Sequence, residues 1–143
     1  MRLFKIFFVA PMFFLILSSV TAAGDFDWIK DFNIKAEADP SGFRARLAAR
    51  FKIGNAEIST VLSNVKKPAD AYMVLRLGEM SRQPTNYVTK EYKKSKGKGW
   101  GALSKSLGIK PGSAEFHALK RRHDLPGEQP KVKSKGKGKG KNR

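Results

Sequence analysis

Apolar residues recur at helical spacing along most of the chain beyond residue 39. Phe43, Leu47 and Phe51 fall four apart, with Arg44, Arg46 and Arg50 around them. That is the layout of a helix with one face toward a core. Asp39 suits the cap of this helix, and Pro40 its first position, where a missing N–H costs nothing. Gly54 is expected to take the left-handed conformation that ends it. Asn55 then caps a second helix, whose buried stripe is Ile58, Val61, Leu62 and Val65. Pro68 opens a third helix through Tyr72, Met73, Leu77 and Met80, and Pro84 or Thr85 a fourth with Val88 and Tyr92. Lys93 to Gly99, "KKSKGKG", reads as a basic, flexible connector. Trp100, Leu103 and Leu107 form a short fifth helix stopped by Gly108, and Ser113 caps a sixth with Phe116 and Leu119 inward. No β-rich run competes. The expected fold class is all-α, a small bundle of short helices.

The segment 24–39 is ambiguous. Trp28, Ile29 and Phe32 would share a helical face, whereas Phe32, Ile34 and Ala36 alternate as in a strand. It carries five of the twelve acids, and its large apolar residues predict an acidic arm docked on the body.

Two stretches share a pattern. Leu47, Phe51, Ile53, Asn55, Ala56, Glu57, Ile58 and Val61 are echoed by Leu103, Leu107, Ile109, Ser113, Ala114, Glu115, Phe116 and Leu119. Each copy reads as a helix–corner–helix unit with an acid in the first turn of its second helix, where the helix dipole favours it. Duplication and the shared grammar of short helical hairpins both account for the echo.

The two ends read differently from this body. Arg2 and Lys5 precede an apolar run from Ile6 to Leu17, followed by the small residues Ser18 to Ala23. This is the order of a secretory signal peptide, expected at 1–23, and the run is shorter than the ~20 residues of a comfortable membrane span. An uncleaved anchor is the alternative. At the other end, 124–143 closes in "KVKSKGKGKGKNR". Such a lysine–glycine segment cannot bury itself and is expected to be a disordered tail. The helical domain is thereby bounded at 40–123.

Charge narrows the partners. The formal charge is +17. Loss of 1–23 removes two cations and no acids, leaving 27 cations against 12 acids, or +15. A chain so basic favours polyanions: an envelope polysaccharide, an anionic lipid surface or extracellular nucleic acid. The candidate contacts are Lys90, Lys93, Lys94, Lys96 and Lys98, beside Tyr92 and Trp100, together with Lys131, Lys133, Lys135, Lys137, Lys139, Lys141 and Arg143. Aromatic rings beside cations stack on bases or sugars, although Trp100 also sits at core spacing with Leu103 and Leu107. Seven tail cations on duplex phosphates would give a log–log salt slope of about −6.

Residues 47–62 also trace the outline of a helix-turn-helix. Lys52, however, stands where that motif usually has glycine, and the second helix offers no arginine or glutamine for bidentate base contacts. An exported protein, moreover, has no operator to read. With no cysteine, disulfides, thiol catalysis and cysteine–zinc sites are excluded. His117 and His123 are poorly spaced for one helical face, and no nucleophile–base pair, phosphate-binding loop or paired carboxylates stand out. No cofactor or metal is expected, and no enzyme.

The segments "ADPSGFRARLAARFKIG", "PADAYMVLRLGEM" and "KGKGWGALSKSLGIKPGSAEFHALKRRHD" resemble small exported bacterial proteins of uncharacterised function. The resemblance spans roughly Trp28 to Asp124. It implies an exported, helical, non-enzymatic protein and brings no known active site. The sequence therefore predicts an exported binding or interaction protein of the cell envelope, periplasmic or secreted. Its alternatives are a self-associating structural module, in which the acidic arm meets the basic regions, and a DNA-binding protein.

Overall fold

The computed structural model describes residues 25–127. The expected signal peptide at 1–23 and the tail cations Lys131 to Arg143 lie outside the described residues. Among those described there are seven helices and no strand: α1 (Trp28–Ala38), α2 (Pro40–Phe51), α3 (Asn55–Ser63), α4 (Pro68–Ser81), α5 (Thr85–Lys94), α6 (Gly99–Ser106) and α7 (Ala114–Arg121). None is long and apolar enough to cross a membrane.

The ambiguous arm is a helix. Phe32 and Ala36, four apart, are buried, while Ile34 is 58% exposed. A strand would have placed all three on one face. Asp31 in the first turn and Lys35 in the last both complement the helix dipole. The arm docks as expected, packing on α2 and α4.

One residue joins α1 to α2. Asp39 is non-helical (φ −138°, ψ 74°), and its Oδ1 accepts the Gly42 N–H at 3.0 Å. Pro40 occupies the first turn, as expected. A Cβ on Gly42 would lie 1.9 Å from Asp39 Oδ2, so this cap requires glycine.

The next corner corrects two expectations. Lys52, not Gly54, is left-handed (φ 53°), and Gly54 is the extended N-cap of α3 (φ −81°, ψ 165°), a role assigned to Asn55. Only three residues separate the helices. One must close α2 directly after Phe51, and another must extend directly before Asn55. Gly54 stands at the second of these places.

The same corner recurs thirty residues on, between α4 and α5. Arg82 is left-handed (φ 55°) and Pro84 is extended (φ −66°, ψ 149°). Around the two corners Leu47 matches Leu77 and Ile58 matches Val88, all fully buried. The α2–α3 and α4–α5 hairpins thus share corner geometry as well as core positions. The echo expected at 103–119 is also a helix–corner–helix unit, but its corner is longer: Gly108 is left-handed (φ 79°), Ile109 is buried, and Ser113 caps α7.

α4 is the central helix. Ala69, Ala71, Tyr72, Met73, Val74, Leu75, Leu77 and Gly78 are all buried, more than one face can hold. A helix buried nearly all round needs neighbours all round, and α1, α3 and α5 supply them. α7 returns to α1 and the residues just before it: the Phe26 N–H donates to Lys120 O at 2.7 Å and Trp28 Nε1–H to Leu119 O at 2.8 Å.

The body does not stop at His123. The His123 ring lies 4.8–6.1 Å from the rings of Phe32, Trp28 and Tyr72, and Leu125 is buried. Residues 124 and 125 therefore belong to the packed body rather than to the tail.

Candidate anion-binding surface

The predicted cations divide along α5. A helix turns about 100° per residue, so lysines three apart share a face while neighbours diverge. Lys90 and Lys93 line a groove of about 520 Å³ between α3 and α5, with Thr60, Asn64, Thr89 and one carboxylate, Glu57, which accepts from the Thr85 hydroxyl. The Lys93 ammonium donates to Asn64 Oδ1 across it. Lys94 turns aside and pairs with Glu91 at 3.1 Å. Lys98 is exposed at the entrance to α6. The connector is shorter than expected, because Lys93 and Lys94 belong to the last turn of α5.

Lys96 enters a second cleft, of about 390 Å³, with Lys66, Tyr92, Ser95, Gly97 and Trp100. The Tyr92 and Trp100 rings are stacked, 5.7 Å apart and 19° from parallel. Both are half-buried and packed against the core, so the core reading of Trp100 holds in part. The Tyr92 hydroxyl donates to Asp70 Oδ2 at 2.8 Å. Burial and the Asp70 carboxylate push this phenol up to about 12. Gly97 and Gly99 both have positive φ (81° and 82°), a conformation glycine adopts without strain. The cleft rim there carries no side chain.

Lys90, Lys96 and Lys98 have no carboxylate partner among the described residues. Three of the arm's five acids pair elsewhere: Asp25 with Lys120 at 3.3 Å, Glu37 with Lys67 at 3.8 Å and Asp39 with Arg46 at 3.7 Å. Among the described residues no group of three or more His, Asp and Glu is placed to hold a metal.

No family model matches this chain, and neither does any curated protein or solved structure. Function must therefore be argued from the surface itself.

Sequence reasoning missed Lys66 and Asn64. Both lie at the end of α3 or just beyond it, some thirty residues from the lysine cluster. Only the packing of α3 and α5 against α4 brings them to it.

A second charged cluster is structural. Arg50 donates to both Glu79 oxygens (3.1 and 3.0 Å) and to Asp124 Oδ2 (2.7 Å), while Arg76 reaches Glu79 at 2.8 Å. For Asp124, burial pushes the carboxyl up, but hydrogen bonds from Arg50 and Tyr72 outweigh it, and the net shift is downward. Glu79 is likewise lowered overall, Arg50 and Arg76 outweighing its burial. These paired carboxylates lock the segment after α7 to α2 and α4.

Proposed function

We propose that this is an exported, non-enzymatic binding protein of the cell envelope, periplasmic or secreted. It engages polyanions through Lys66, Lys90, Lys93, Lys96 and Lys98, with the tail cations Lys131 to Arg143 as a second contact. One observation carries the reading: Lys90, Lys96 and Lys98, on α5 and its connector, have no carboxylate partner among the described residues, while Asp25, Glu37 and Glu91 pair with other lysines. Unpaired cations on neighbouring turns raise the local positive potential and attract extended anions.

DNA reading by α3 is the weaker account. Its polar side chains are turned to local partners. Ser59 accepts from Arg44, Thr60 donates to Ala56 O, Ser63 donates to Thr60 O, and Glu57 accepts from Thr85. Self-association through the acidic arm has fewer charges to draw on, since Asp25 and Glu37 find lysines within the chain.

The test is salt elution of the native protein from a sulfated-polysaccharide column. A variant with Lys90, Lys93 and Lys96 changed to alanine should elute at clearly lower salt. Unchanged elution of that variant and of a chain ending at 127 would overturn the proposal. Export is checked by intact mass: the periplasmic or secreted form should lack about residues 1–23.

A further inference from the structure

The cleft between Lys66 and the α5–α6 connector has a more specific chemistry than the open groove beside it. It is lined by donors. Lys66 and Lys96 line it, and no carboxylate does. The Trp100 indole N–H has no hydrogen-bond partner among the described residues, whereas the N–H of Trp28 is satisfied by Leu119. The Ser95 hydroxyl spends its proton on the Glu91 and Tyr92 carbonyls.

One face of the Trp100 ring is covered by Tyr92, so a ligand meets the rest of a rigid, half-buried indole rather than a gap between two rings. The volume of about 390 Å³ is at the small end of ligand pockets, which run ~300–1,000 Å³. It has room for a sugar ring or two and not for a long segment.

Resting on the polyanion reading above, we propose that this cleft is the subsite for a uronic-acid residue of an acidic polysaccharide. The sugar carboxylate pairs with Lys66 and Lys96, and a sugar hydroxyl accepts from the Trp100 N–H. A nucleobase fits less well. The Tyr92 and Trp100 rings already stack on each other and leave no gap between them for a base. A uronate brings a carboxylate for the lysines and hydroxyl oxygens that accept from the indole N–H.

The experiment is titration of the native protein with hexameric oligogalacturonate, its neutral methyl ester and an oligothymidylate of equal charge, at one fixed ionic strength. The oligogalacturonate should bind more tightly than either other probe. Lys66→Ala and Lys96→Ala should each weaken it about tenfold, the loss of one charge-assisted hydrogen bond. Trp100→Phe keeps the ring stack and should weaken it by a few-fold. Lys90→Ala in the groove serves as a control and should change it less than either cleft lysine.

Binding unaffected by Lys66→Ala and Lys96→Ala but weakened by Lys90→Ala would overturn the subsite and leave the polyanion reading standing. Tighter binding of oligothymidylate, with the same lysine dependence, would overturn the saccharide assignment alone. No binding of either anionic probe would overturn both readings.

Discussion

Tyr72 and Asp124, fifty-two residues apart, exchange two hydrogen bonds: the phenol donates to Oδ1 at 2.8 Å and accepts from the Asp124 N–H at 3.1 Å. Tyr72 is 1% exposed at the centre of the bundle. This pair ties the segment after α7 onto the central helix. Tyr72→Phe keeps the ring packing but strips the Asp124 N–H and Oδ1 of their partner. It should cost about 1–3 kcal/mol of stability, read as a lower urea midpoint with an unchanged slope.

The same network sets the response to acid. Asp124 and Glu79 both have lowered pKa values in the folded state. A carboxyl lowered by folding stabilises the fold above its unfolded pKa, and that contribution is lost as pH falls through the folded value. Stability should therefore decline below about pH 4, the ordinary carboxyl range. Asp124→Asn should flatten the decline while lowering stability at neutral pH. Thermal midpoints across an acid series check both expectations.

Alkali acts through tyrosine with the opposite sign. Tyr92, raised to about 12, is held neutral by burial and by Asp70. A group raised by folding contributes fully below its unfolded pKa and loses that contribution as pH rises through the folded one. Stability should fall between about pH 10 and 12. In Tyr92→Phe that fall should be shallower, as followed by circular dichroism.

Lys52 and Arg82 occupy left-handed conformations that cost a side chain about 1–3 kcal/mol. Glycine removes that strain and returns part of the gain as unfolded-chain entropy. Lys52→Gly and Arg82→Gly should each stabilise the protein by roughly 0.5–1 kcal/mol. Gly54→Ala should bring no comparable gain, because Gly54 is extended and not left-handed. Parallel urea melts distinguish the two positions.

Gly42 is the reverse case. A Cβ there collides with the Asp39 carboxylate that caps α2. Gly42→Ala should displace the cap and cost about 1 kcal/mol. In Asp39→Ala the cap is already absent, so a second change of Gly42 to alanine should cost nothing further and could regain helix propensity. A double-mutant cycle reads this coupling directly.

Much of the helical layout was legible because each helix writes its own stops. Asp39–Pro40, Pro68, Pro84, Gly108 and Ser113 mark ends through backbone chemistry that acts within one turn. Of the stripes that periodicity predicts, the structure buries Phe43, Leu47, Ile58, Val61, Phe116 and Leu119 and leaves Phe51, Leu62 and Val65 partly buried against the core. The arm could not be read in this way, because Phe32 and Ala36 fit either period. Its helix was decided by what it packs against, which leaves Ile34 exposed. The left-handed residue of the first corner was misplaced for a related reason. Glycine's permissiveness marks where such a residue is cheapest, while the distance between two packed helices fixes where it must be.

The sequence by itself determined the helical class, most of the helix starts and the excess of cations, since these depend on neighbours within a few residues and on simple sums of charge. Only the tertiary structure decided which charges remain unpaired. Arg50 and Asp124, 74 residues apart, neutralise one another, while Lys66 comes to share a cleft with Lys96 and Trp100. Charge pairing acts over a few ångströms in space, and distance along the chain carries no information about it until the helices have packed.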